Sequence, residues 1–500
     1  MKKLMTLALA AGMLLGAATG AGAIDFKAKG QWLMGFSAGD GSLVSHTKAN
    51  KAGNHNKAAD TDDIFGASQR VRLQLDAVAS EALSGTVFFE IGDTNWGKNS
   101  NGGALGADQK IVELKNAYID WMVPNTDLKF RMGIQGIQLP NVAGGSAILD
   151  DDVAAITASY QFNENVALTA MWARPYNDNY DARADRTNYQ DNMDLFALMV
   201  PLTFDGVKVT PWAMYGMAGA NTNFLTSTSP YARYINNGFK GEDTTTGKAY
   251  GSMFWAGLPI SLTLWDPLNV ELDINYGYVE SMGRYEAERA DNTFARMGDT
   301  KREGWLVKAL VEYKMDWGTP GIFGWYASGD DGNVKNGSER MPSISACGNF
   351  MSFMGDGNYG WSTSDSLYDR NMSYAGTWGI GLRIHDLSFV EDLKHSFRVA
   401  YWGGTNSPAM AKYVNSSYGW QNFNPDGYGE KDGPYLTTND GLLEFNLVNS
   451  YQIYENLEAN LELGYIVNMM DDDTWKRSYR NDSYKKQDAW KAQLIFAYSF

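Results

Sequence analysis

Four histidines and one cysteine are the residues of this chain best suited to proton transfer or nucleophilic chemistry. Their spacing does not bring them together. His46 and His55 fall in a polar segment, and His385 and His395 flank a short turn. No G-x-S-x-G or H-E-x-x-H run is present. Cys347 stands alone, so no intrachain disulfide can form. Gly329-Asp330-Asp331-Gly332-Asn333 carries the carboxylates of a Ca²⁺ loop without the ligand spacing or terminal Glu of an EF-hand, and reads as a turn. The sequence therefore predicts no catalysis, no cofactor and no resident metal. What remains is the chemistry of fixed charge. Asp150, Asp151 and Asp152 are consecutive, and Arg70, Arg72, Lys129, Arg131, Arg383 and Arg398 recur on the polar phase of regular runs. Fixed charges of this kind act on small solutes through the width and charge of the space they line.

The elements that would position these groups are strands. Val71, Leu73, Leu75 and Ala77 alternate with Arg70, Arg72, Gln74 and Asp76. Leu128, Phe130, Met132 and Ile134 alternate with Lys129, Arg131, Gly133 and Gln135. The same period of two runs through 270–278, 303–314 and 457–467, where Glu271, Asp273, Glu458 and Glu462 lie on the polar phase. Alternation of this kind marks strands with one apolar face. The runs have the length of a tilted membrane strand, ~9–11 residues. Charges on the second face suit a wet lumen, and Trp121, Tyr160, Trp172, Tyr276, Tyr278, Trp305, Tyr313, Tyr401 and Tyr465 at strand ends suit interfacial girdles.

Connections alternate short and long. Short turns fall near 80–85, 123–127, 163–165, 205–206, 265–267, 316–320, 386–392 and 454–456. Long polar segments fall at 38–64, 93–109, 139–152, 174–191, 217–250, 281–302, 329–373, 404–440 and 471–487. This is the pattern of a membrane barrel with short periplasmic turns and long external loops. It predicts an all-β, antiparallel up-and-down barrel of about 18 strands, or 16 if Pro201 and Pro211 break the strands around Asp205-Gly206. Lys2 and Lys3, the apolar run to Leu15 and Ala21-Gly22-Ala23 predict a signal peptide over 1–23, leaving 24–500 as one barrel domain. The formal charge of −16 becomes −18 without those two lysines and argues against nucleic acid as a partner.

The last strand sets Trp490, Ala492, Leu494, Phe496, Tyr498 and Phe500 on one face. This run is similar to the assembly signal of outer-membrane proteins, with Trp490, Phe496, Tyr498 and Phe500 as its aromatic positions. Together with Leu114–Trp121 and Leu128–Gly133, it resembles trimeric outer-membrane porins, and most closely the homotrimeric porins of sulfate-reducing bacteria. The resemblance implies passive diffusion of small hydrophilic solutes and ions. It also implies a homotrimer, contact with outer-membrane lipid and lipopolysaccharide, and insertion by the barrel-assembly machinery. It further implies a third loop folded into the pore, here Leu139 to Asp152, although the Pro-Glu-Phe-Gly segment of enteric porins is absent. No plug is expected from the long loops, so the pore should be open and weakly selective, with cations slightly favoured. A substrate-specific outer-membrane channel or an adhesin shares these features. A soluble glycan-binding β-protein would account for the Trp and Tyr content but not for the framing by signal peptide and terminal Phe.

Overall fold

A computed structural model describes residues 24–41, 43, 46–49, 56–59, 63–98, 102–106, 112–177, 192–219, 241–246, 248–287, 298–347, 350–351, 359–361, 373–414, 435–476 and 486–500. The predicted signal peptide and His55 lie outside them. The first strands are β1 (Asp25–Asp40), β2 (Ile64–Ser80), β3 (Leu83–Asn95), β4 (Val112–Met122), β5 (Leu128–Gln138), β6 (Asp150–Gln161) and β7 (Ala167–Asn177). β8 joins Asn192–Met199 to Leu202–Phe204, and β9 joins Val207–Val209 to Trp212–Gly219. Then come β10 (Tyr250–Trp265), β11 (Leu268–Val279), β12 (Arg302–Tyr313), β13 (Thr319–Ala327) and β14 (Thr377–Val390). β15 (Leu393–Gly404), β16 (Gly441–Tyr454), β17 (Leu457–Asn468) and β18 (Ala489–Ser499) complete the set.

Each strand pairs antiparallel with its sequence neighbours, and β1 pairs with β18 from Gln31↔Ser499 to Asp40↔Trp490. The sheet is thus a closed 18-stranded barrel with no edge. Pro201 and Pro211 interrupt β8 and β9 without ending them. The residues they displace stay in lane through bonds such as Ala167 N–H to the Pro201 carbonyl (3.0 Å) and Val200 N–H to the Pro211 carbonyl (3.0 Å). Proline removes one donor from a ladder, but neighbours on both sides hold the strand in place.

The predicted phases are realised. Leu75, Met132, Ile134, Ile156, Ile322, Leu382 and Leu461 are exposed on the outer face, as a lipid-facing surface requires. Trp121 stacks on Phe130 near the short turns, and Trp305 stacks on Tyr326 near the long loops, so paired rings stand at both rims. On β18 the outward phase carries Trp490, Phe496 and Tyr498. Ala489, Lys491, Gln493, Ile495 and Ala497 are buried on the inward phase. Ile495 and Ala497 break the polar pattern because they pack with Leu33 and Trp361 inside the barrel. Phe500 extends the seam, exchanging backbone hydrogen bonds with Gly30 (2.8 and 3.0 Å).

The interior departs from expectation. The main buried apolar cluster joins inward wall residues Trp212, Met214, Trp255, Phe323, Trp325 and Trp402 to loop residues Leu139, Ile148, Leu149, Met341, Ile344, Phe350 and Tyr374. The long-loop half of the barrel therefore contains a packed core, to which described residues of the long loops contribute. β13 carries the reason in its sequence. Ile322 and Tyr326 face outward while Phe323, Trp325 and Ala327 face inward, and a strand apolar on both faces must be covered on both.

Candidate functional site

The third loop, 139–149, leaves β5 at Leu139-Pro140 and turns through Ala143, Gly144 and Gly145, at φ +51°, +87° and +85°. Such left-handed residues reverse the chain in little space, and a non-glycine among them is held there by its surroundings. The loop is mostly small and apolar, so it gains by leaving water. Wall strands across the lumen then satisfy its backbone. The Trp212 indole of β9 donates to the Pro140 carbonyl at 3.0 Å, and Glu271 of β11 accepts from Ala143 N–H at 2.7 Å. Lys308 of β12 donates to the Gly145 and Val142 carbonyls. The loop thus runs inward from the β5–β6 wall to strands well around the barrel.

The segment between β13 and β14 enters the lumen beside it. Asp331 accepts from Asn333 N–H at 2.8 Å, making the Asp/Asn/Gly run a side-chain-capped turn. No group of three or more metal-ligating side chains occurs among the described residues. Further on, Arg302 donates to the Arg340 and Met341 carbonyls at 2.8 and 2.9 Å, and Trp255 donates to the Pro342 carbonyl at 2.9 Å. Bridges Ser146↔Cys347 and Leu149↔Ser345 zip this segment to the third loop. Phe350 stacks on Phe323 at 4.7 Å. Trp361 reaches a distant wall, where its indole donates to Asp93 (2.9 Å) and its carbonyl accepts from Gln493 (2.7 Å). Two loops, tied to each other and to several walls, narrow the long-loop half of the lumen.

Several of the basic residues singled out from sequence meet carboxylates. Arg70 is buried, 3.9 Å from Asp93, with its guanidinium over the Trp361 ring. Arg72 meets Glu90 at 2.6 Å. Arg131 holds both oxygens of Asp120 at 2.8 Å, and Lys129 lies 3.6 Å from the same carboxylate. Arg383 meets Glu312 at 2.6 Å, and Arg398 stands opposite Arg383 in the β14–β15 ladder. Arg72, Glu90, Arg131, Asp120, Arg383 and Glu312 keep part of their surface exposed, at mid-strand or towards the short turns.

Alternation divides the aspartate triplet. Asp151 shares its phase with buried Ala155 and accepts from Ser345 of the second loop at 2.8 Å. Asp150 and Asp152 share the outward phase of Ile156. Asp150 accepts from Gln138 at 2.6 Å, and Asp152 pairs with Lys115 at 2.5 Å. Three adjacent acids on one strand cannot all face one lumen, because successive side chains point to opposite faces. Sequence reading missed Lys308 and Trp212 as loop anchors. Its available signal was the apolar character of 139–149 and 341–351, unusual for loops in water.

A closed 18-stranded barrel with an apolar outer belt, rings at both rims and a charged, loop-narrowed lumen has the build of a transmembrane β-barrel. Among solved structures, the chain is similar to Pseudomonas aeruginosa OpdQ, at 10% identity over 95% of this chain and 98% of that one, with a TM-score of 0.49. It is similar to Pseudomonas aeruginosa OpdK with vanillate, at 11% identity over 95% and 98%, TM-score 0.49. It is also similar to Pseudomonas aeruginosa OccK8 (OprE), at 11% identity over 96% and 99%, TM-score 0.49. No protein-family model and no curated protein matches the sequence.

Proposed function

We propose that this channel is a narrow, selective pore for small hydrophilic solutes, in place of the open diffusion pore expected from sequence. The observation that carries the reading is the pair of loops, 139–149 and the β13–β14 segment, bonded to walls around the lumen. Loops held at so many points leave a path along the partly exposed ion pairs Arg72–Glu90, Arg131–Asp120 and Arg383–Glu312. Width is set by loop backbone. Charge is nearly balanced along the path, so selection acts through size and hydrogen bonding, with weak discrimination between ions. Asp151, Arg70, Lys129 and Arg398 belong to the same proposed lining. Lipopolysaccharide, the assembly machinery and a homotrimer are carried as the partners of this reading.

Planar-bilayer recording with liposome swelling tests it. The expected outcome is a small unitary conductance and a sharp solute-size limit. A large, ohmic conductance with free passage of oligosaccharides would overturn the selective reading and restore the open porin.

A further inference from the structure

Lys308 is the point at which the two loops and the wall meet. It is fully buried, as is Asp273, whose carboxylate lies 3.0 Å from its ammonium. The remaining ammonium protons point to the third loop, at the Gly145 carbonyl and, at 3.4 Å, the Val142 carbonyl. Tyr374 of the second loop sets its ring 6.0 Å away, and its hydroxyl lies 3.5 Å from the Gly144 carbonyl. The left-handed run Ala143-Gly144-Gly145 is what turns those carbonyls onto one cation. A Cβ added at Gly144 would meet the Tyr374 hydroxyl at 3.0 Å and the Phe350 ring at 3.1 Å, so the turn is packed down on this point.

We propose that Lys308, oriented by Asp273, is the pin that holds the third loop across the lumen and so fixes the aperture of the pore. The physical argument is one of substitution. A buried ammonium needs several acceptors, and the loop supplies two that the wall lacks. If the loop swung out, Lys308 would keep one carboxylate and lose both carbonyls, while the loop would lose the donor that pays for its left-handed turn. Glu271 and Trp212 each bond a single backbone atom of the same loop. They limit its swing without carrying a buried charge. Lys308 is thus a positioning residue for the aperture, and this inference rests on the selective-channel reading above.

The test replaces both members of the pair, Lys308→Met with Asp273→Asn, so that no unpaired charge is left buried. A second variant acts from the loop side. Gly145→Val forbids φ +85° and moves the carbonyl off the ammonium without touching a barrel ladder. Both should raise unitary conductance roughly twofold or more and admit larger sugars in swelling assays, with heat-modifiable mobility unchanged. Amide exchange over 139–149 should accelerate in both. Folded variants with the wild-type conductance, size limit and exchange would overturn the pin. Should the double variant not fold, Gly145→Val decides by the same readouts. A wild-type protein that carries no current would sink the channel reading instead, and amide exchange would still report on the pin.

Discussion

At the scale of single residues, the barrel wall makes each position answer to one of two solvents. Leu73 and Gln74 are neighbours in β2 and face opposite ways. Leu73 is paired with Gly30 and Phe89 on the outward phase, whereas the Gln74 amide donates to Asp76 at 2.9 Å on the inward phase. A Lys at Leu73 places an ammonium against lipid and should cost ~2–4 kcal/mol of folding stability. A Lys at Gln74 would meet an acidic neighbour and should change stability little. Tryptophan-monitored unfolding of Leu73→Lys and Gln74→Lys in lipid vesicles measures both. Equal losses would contradict the assigned facing of β2. The phase of Leu73 could be read from alternation alone. The roles of Lys308 and Arg383 could not be separated that way. Both are cations on a polar phase, yet one holds a loop and the other meets Glu312. The difference lies in what folds against each, and no local pattern encodes that.

At the scale of elements, strands were legible and loops were not. Period two, strand length and the Asp205-Gly206 turn specify the ladders, because each depends on backbone geometry and a fixed solvent on each side. The inward fold of 328–347 depends on partners far away in sequence, such as Trp255 and Ser146. Its only local trace is an apolar run where a water-exposed loop would be polar. The start of that segment also carries a titratable latch. Glu339 accepts from Asp331 N–H at 3.1 Å and from the Asn336 amide at 3.2 Å. Burial pushes its carboxyl up to about 7 from 4.5, and repulsion from Asp330 and Asp331 adds to the rise, against the Asp331 N–H bond that lowers it. A folded value above the unfolded one means that the folded loop binds the extra proton. Its stability is therefore greatest below 4.5 and falls as pH rises from there through about 7. Residues 328–341 should exchange amides faster at about pH 8 than at about pH 5, beyond the intrinsic rate change, and Glu339→Gln should remove that excess. An excess that persists in the variant would assign it to another group.

At the scale of the whole molecule, the formal charge of −16 is a poor guide to conduction. Much of that acidity lies in the long loop sequences, and exposed charge is screened beyond ~10 Å at 0.1 M salt and ~3 Å at 1 M. The proposed path sets Arg72, Arg131 and Arg383 against Glu90, Asp120 and Glu312, so net selectivity is a small difference between nearly matched sets. Such a balance is easily tipped from either side. Replacing Arg72, Arg131 and Arg383 with Gln leaves Glu90, Asp120 and Glu312 unopposed, and the reversal potential in a salt gradient should move towards cations. Replacing Glu90 and Glu312 with Gln and Asp120 with Asn should move it towards anions by a similar amount. Both shifts should grow as ionic strength falls. Asp152→Asn should have little effect beside these, because alternation turns its side chain outward, where it pairs with Lys115. If neither lumen set moves the reversal potential, ions do not pass along these pairs, and the conducting path must be sought on another part of the wall.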